Sequence, residues 1–171
     1  MTSNPPSAPA STSVARSSDP SPLPLEGGCL CGAGRYRISA KPRHADYCHC
    51  RMCQRSTGAP VVPWLTVASE AFAWTTGEPA VFRSSSAAER GFCARCGTPL
   101  TFRYLAKHRI NVALGSLDEP AKVRPTLQHG IESRVPWWRE LFELPGQTTA
   151  QDPPPGGLEA MEKYQDRQGA R

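Results

Sequence analysis

"FCARCGTPL", residues 92–100, sets Cys93 and Cys96 three positions apart and follows the second with Gly97. A chain that turns this tightly points both sulfurs at one ion, and the glycine lets backbone N–H groups approach them. That is half of a tetrahedral site, so the other half must come from elsewhere in the chain. "GGCLCG", residues 27–32, offers it in Cys29 and Cys31. One residue apart on an extended segment, these two side chains project to the same side. Joining the pairs ties an early hairpin to a late one across more than sixty residues. A structural zinc that closes so long a loop supplies on the order of 10 kcal/mol of apparent folding free energy.

Working outward, "CHCRMC" at 48–53 holds the remaining Cys48, Cys50 and Cys53, and all seven cysteines then lie in clusters. Seven is odd, so complete pairing as intramolecular disulfides is impossible. The sequence shows no run of about eighteen apolar residues and no charged-then-apolar secretory leader. The expected location is therefore cytoplasmic, where thiols stay reduced and clustered thiols point to metal. A structural zinc is closed by four protein ligands, whereas a catalytic one keeps three and leaves a position for water or substrate. Two Zn2+ ions are expected, with Cys29, Cys31, Cys93 and Cys96 at a closed site and Cys48, Cys50 and Cys53 at an open, catalytic one.

Other readings of these residues stay open. His44, His108 or His129 would close the second site as a fourth ligand. A C-x-x-C pair can also be a redox dithiol, but that motif starts a helix, whereas a β knuckle is expected here. His49 lies between two ligands on extended backbone, so it should point away from their metal, toward the surface or a supporting hydrogen bond.

The apolar pattern agrees with a mainly β domain. Tyr36, Ile38 and Ala40 alternate with Arg35, Arg37 and Ser39, as in a half-buried strand. "VVPWLTV", "AFAW", "AVFR", "PLTFRYL" and "RINVAL" add β-branched and aromatic runs, separated by turn chemistry in "TTGEP", "SSSAAE" and "GSLDEP". "CRMCQRSTG" has room for a helical turn or two. With 171 residues and 39% apolar content, one compact domain with tails is expected. The domain spans 27–144. Residues 1–26, with six prolines and seven serines, read as a disordered tail, and a serine-rich transit peptide is the lesser alternative. Residues 145–171 read as a second, mostly disordered tail with a possible short helix in "LEAMEKYQDRQGAR".

The formal charge of +5 counts every cysteine as neutral. Seven thiolates and two zinc ions would lower it to +2, so the excess arginine argues only weakly for nucleic acid. Trp64, Trp74, Trp137 and Trp138 read first as core or rim packing, and Gly58 and Gly97 as turn residues. The "SLDEP" acids read as a turn. The sequence has no Ser-His-Asp set, phosphate-cradling loop or dinucleotide fingerprint.

"GGCLCGAGRY", "CHCRMCQRSTGAP", "GFCARCGTPL", "NVALGSLDEP" and "QHGIESRVPWW", in this order over residues 27–138, resemble the glutathione-dependent formaldehyde-activating enzyme (GFA) family, which includes a centromere protein V branch. The resemblance implies a β-tent fold of small antiparallel sheets stapled by zinc, with the metal ligands divided as above. It implies a carbon–sulfur lyase that joins glutathione, as co-substrate, to formaldehyde to give S-hydroxymethylglutathione. Arg51, Arg55 and Arg95 are candidates for holding the two glutathione carboxylates. The expected partners are a small thiol and an aldehyde, with no membrane. The alternative is a non-enzymatic zinc module for nucleic acid or protein, against which stands an N-terminal arm with only Arg16 as a basic residue. A third reading has both zinc sites closed and purely structural.

Overall fold

A computed structural model describes residues 23–159. All but the last four residues of the expected N-terminal tail, and all but the first two of the possible C-terminal helix, lie outside the described residues. The first strand, β1 (Leu25–Gly28), begins two residues ahead of Gly27, where the domain was expected to start.

Short alternating segments give short strands. β1 pairs antiparallel with β2 (Arg35–Ile38), which pairs with β5 (Phe72–Thr76) in a three-stranded sheet. In β2, Tyr36 and Ile38 are buried while Arg37 faces solvent. Ala40 lies beyond the strand end and is exposed, so the alternation stops at Ile38.

The second sheet has seven strands: β3 (His44–Cys48), β4 (Val62–Ala68), β6 (Ala80–Ser85), β7 (Ala88–Phe92), β8 (Pro99–Tyr104), β9 (Arg109–Ala113) and β10 (Leu127–His129). Their order is β10-β3-β4-β9-β8-β7-β6. The expectation of small antiparallel sheets is therefore corrected in part. One sheet is small, the other is large and mixed, because β10 runs parallel to β3. β10 reaches that edge through a long connection from β9, and a connection of that length leaves both strand directions open.

The continuous apolar run of β4 follows from its central place, covered on both faces. Leu65 and Val67 enter the main core with Tyr36, Ile38, Leu100 and Val112. Val62 and Trp64 enter a smaller apolar cluster with Cys48 and Cys53. One strand thus separates two cores, and each core contains one group of cysteines. Behind the main core, the Tyr36 hydroxyl meets Ser116 Oγ at 2.7 Å, and Arg35 donates to Asp118 at 2.8 Å. These contacts fasten the small sheet to the turn after β9.

Candidate metal centres

The four-cysteine group forms where two turns face each other. Cys93 follows β7, and its turn is closed by the Gly97 N–H to the Cys93 carbonyl at 2.8 Å and the Cys93 N–H to the Thr98 carbonyl at 3.0 Å. Cys29 follows β1 in a turn closed by its own N–H to the Gly34 carbonyl at 3.0 Å. Sγ of Cys29, Cys31, Cys93 and Cys96 all lie within 4.8 Å of one another. Two of these separations, Cys29–Cys31 at 3.6 Å and Cys31–Cys93 at 3.7 Å, match the edge of about 3.8 Å that zinc–sulfur bonds of about 2.3 Å give a tetrahedron. A disulfide needs about 2.05 Å, and no disulfide joins any of the seven cysteines.

Neighbouring donors favour the anionic sulfurs. The Gly34 N–H points at Cys29 Sγ at 3.2 Å. Thr98 Oγ1 accepts from the Leu30 N–H at 3.1 Å and lies 3.1 Å from Cys96 Sγ, where its hydroxyl can donate to a thiolate. Burial opposes ionisation of Cys96, but the Thr98 hydroxyl and the Thr98 and Cys31 backbones hold its thiol down at about 6. Cys31 goes the other way. The Ala33 backbone pulls it down, but burial and three neighbouring thiols push it up to about 11. Sulfurs this crowded cannot all be anionic without a cation among them. The donor set fits a divalent thiophilic ion.

The three-cysteine group has a different frame. β3 delivers Cys48, and the chain then enters a helix, α1 (Arg51–Thr57), with Cys50 at its N-cap. Cys50 Sγ accepts the Cys53 N–H at 3.4 Å, so the i, i+3 spacing puts both sulfurs on one side of the first turn. The expected knuckle is thus found at Cys93–Cys96, while Cys50–Cys53 opens the helical turn or two for which "CRMCQRSTG" has room. A cysteine takes the capping place usually held by Ser, Thr, Asp or Asn. Sγ of Cys48, Cys50 and Cys53 lie within 4.8 Å of one another, and among the described residues no His, Asp or Glu joins them. His44 instead contacts Thr66 Oγ1 at 3.3 Å and Asp46 at 3.7 Å, while His108 and His129 are exposed.

Three residues that the sequence reading passed over hold this group in place. Buried Gln54 donates through Nε2 to the carbonyls of His49 at 2.8 Å, Pro60 at 3.0 Å and Ser133 at 3.1 Å. It binds the helix to the segment that follows β10. In that segment Gly130, at φ +68°, lies where a Cβ would come within 2.9 Å of the Cys50 nitrogen. The third residue is Arg90 of β7, only 8% exposed, with Nη2 at 3.6 Å from Cys53 Sγ and its guanidinium over the Phe102 ring at 4.8 Å. The signal for Arg90 was its phase, because in "AERGF" it shares a strand face with buried Ala88. The Cys48 thiol first, and Arg90 with it, hold Cys53 down at about 5 against its burial, while contact with Cys53 and burial push Cys48 up.

The other singled-out residues separate clearly. His49 is fully buried, not at the surface, and its Nε2 meets Gln128 Oε1 at 3.0 Å. Arg134 Nη1 also donates to that oxygen at 3.2 Å, so the oxygen is an acceptor and His49 Nε2 carries the hydrogen. Its Nδ1 is buried without a partner. Trp64 packs on the trio, Trp138 meets His49 edge-on at 6.1 Å, Trp74 packs on Tyr36, and Trp137 is exposed. Gly58 and Gly97 both sit at φ +73°, as turn residues should. Arg51 and Arg55 are exposed on α1, where Arg51 bonds Gln54, and Arg95 lies in the other cysteine knuckle. The three arginines are thus not gathered at the trio. Asp118 and Glu119 are taken by Arg35 and Lys122. A cavity of about 340 Å³ between Phe72, Trp74, Val81, Glu89, Arg103 and Ile110 has no cysteine in its lining. Among the described residues no helix is long and apolar enough to cross a membrane.

Comparison with known proteins gives a consistent result. The sequence profile described as "Glutathione-dependent formaldehyde-activating enzyme" matches residues 24–133. A Schizosaccharomyces pombe protein named "uncharacterized lyase" is 34% identical over an alignment of 87 residues that covers 46% of this chain and 57% of that protein. The match therefore spans little more than half of the relative's length. A crystal structure of a Rhodobacter sphaeroides protein superposes with a TM-score of 0.50 at 19% identity, covering 60% of this chain and 98% of that one, a likeness of fold. No finding points to the centromere protein V branch.

Proposed function

The chain belongs to the glutathione-dependent formaldehyde-activating enzyme family, and we propose that it forms or cleaves adducts between a small thiol, such as glutathione, and an aldehyde, the chemistry of a carbon–sulfur lyase. The observation that carries this reading is the trio of converging thiols with no fourth protein ligand among the described residues. Cys48, Cys50 and Cys53 would hold one zinc ion, and Cys29, Cys31, Cys93 and Cys96 a structural one. Zinc at the trio supplies a Lewis acid and keeps bound sulfur anionic.

The chain's own residues supply the rest. Val62, Trp64 and Phe102 wall the trio with apolar surface and exclude water on that side. The Cys53 N–H and Arg90 guanidinium stabilise negative charge on Cys50 and Cys53. Gln54 fixes the first turn of α1, and with it the distance between two ligands. In the adduct-forming direction the thiol loses its proton, its sulfur bonds the carbonyl carbon, and the oxygen gains a proton. The cytoplasm provides the reducing setting in which seven thiols remain usable.

NMR exchange spectroscopy of glutathione with formaldehyde tests the proposal. Metal-replete protein is expected to accelerate exchange between free and hydroxymethylated glutathione. Exchange at the protein-free rate would overturn it.

A further inference from the structure

Arg90 is the single buried arginine or lysine among the described residues, and no carboxylate there lies within 4.0 Å of it. A cation in such a place needs a reason, because desolvation makes an unpaired charge expensive. Part of the reason is the trio. Three thiolates around a divalent ion sum to −1, which one guanidinium cancels. A lysine would do as much. What charge balance leaves unexplained is the fork itself, its central carbon over Phe102 at 4.8 Å from the ring centroid and one of its five N–H donors spent on Cys53 Sγ at 3.6 Å.

The remaining donors of Arg90 meet no acceptor among the described residues. They are fixed by covalent geometry beside the one that reaches Cys53. Phe102 links this group to Trp64, whose ring centroid lies 6.1 Å away and whose Nε1–H is itself buried without an acceptor. Trp64 shares one apolar cluster with Cys48 and Cys53. The wall of the trio thus carries N–H donors in excess of protein acceptors, one buried at Trp64 and the others, on Arg90, open to an incoming group beside apolar surface, which strengthens hydrogen bonds to a developing negative charge.

We infer that Arg90 forms an oxyanion site at the three-cysteine centre and donates to the aldehyde oxygen as the thiol adds. The inference rests on the reaction proposed above and assigns its charge-stabilising residue. In the step, a sulfur lone pair forms the C–S bond and the carbonyl π pair moves onto oxygen. Solvent then returns to that oxygen the proton the thiol gave up, and Arg90 keeps all of its own. Cleavage runs the same steps in reverse.

Arg90→Lys and Arg90→Gln test this in metal-replete protein, with three readouts: metal content, thiol–aldehyde exchange by NMR, and broadening of the carbon-13 formate resonance. Formate serves as the probe because it carries a negative oxygen and has the size of formaldehyde. Wild type is expected to broaden formate. Arg90→Lys should keep both ions and the glutathione half-saturation, yet lower the exchange turnover about 100-fold, the scale of one lost oxyanion donor. Both variants should bind formate weakly or not at all. Full turnover in Arg90→Lys, formate binding indifferent to both substitutions, or loss of the trio metal in both variants would overturn the assignment. The two readings fail separately. Wild type that leaves exchange unaccelerated but binds formate through Arg90 refutes the reaction and upholds the anion site. Accelerated exchange that is indifferent to Arg90 does the reverse.

Discussion

Cys93–Cys96 and Cys50–Cys53 share one spacing and sit on two backbones. The first pair spans a knuckle between β7 and β8 and receives Cys29 and Cys31 from a turn more than sixty residues away. The second caps and begins a helix, receives only Cys48 from the adjoining strand, and has Arg90 beside Cys53 at 3.6 Å. Spacing therefore brings two sulfurs together without deciding how many will join them. The number is set by what the fold packs against the pair. In the main core that is another thiol pair, so the group draws its sulfurs from a turn of each sheet. In the smaller core it is a cation and two aromatic rings, with no fourth metal-ligating side chain among the described residues.

This contrast breaks if the two groups respond alike to loss of a ligand. The largest effect is expected for Cys96→Ser, which removes a corner of the cross-sheet staple and with it much of the roughly 10 kcal/mol that a structural zinc contributes. The protein should fail to show a cooperative thermal transition. Cys53→Ser should be milder, because its group takes its sulfurs from one six-residue stretch and ties no distant turns together. A cooperative transition should survive, with metal content lowered by about one ion and thiol–aldehyde exchange lost. Equal damage from both, in metal content and unfolding, would erase the distinction. The smallest effect sharpens it. Gln54→Ala strips the donor from three backbone carbonyls around the trio alone. It should cost about 2 kcal/mol in denaturant unfolding, slow exchange through a misplaced α1, and leave the four-cysteine ion in place.

What the sequence revealed and what it hid follow from range. Both cysteine groups were legible because each half-site is a local spacing, and the strands because Tyr36 and Ile38 alternate with Arg35 and Arg37. The short helix in "CRMCQRSTG" was legible as a turn or two, but the capping role of Cys50 was not, since a thiol is not among the usual capping side chains. The parallel pairing of β10 was hidden because it depends on where a long connection returns, not on the composition of Leu127–His129. Arg90 and Gln54 were hidden for the same reason. Their partners lie 37 and as many as 79 residues away, and only the folded chain brings them together. The arginines that the sequence did suggest were chosen for nearness to cysteines along the chain, and that nearness left them on the surface.

X-ray absorption at the zinc edge, on protein whose metal content has been assayed, tests the central claim most directly. Two ions per chain are expected, with four sulfurs around one and three sulfurs plus a lighter atom around the other, so that the averaged shell holds between three and four sulfurs. A single bound ion, or a pure four-sulfur shell at both sites, would contradict the division between a closed staple and an open centre.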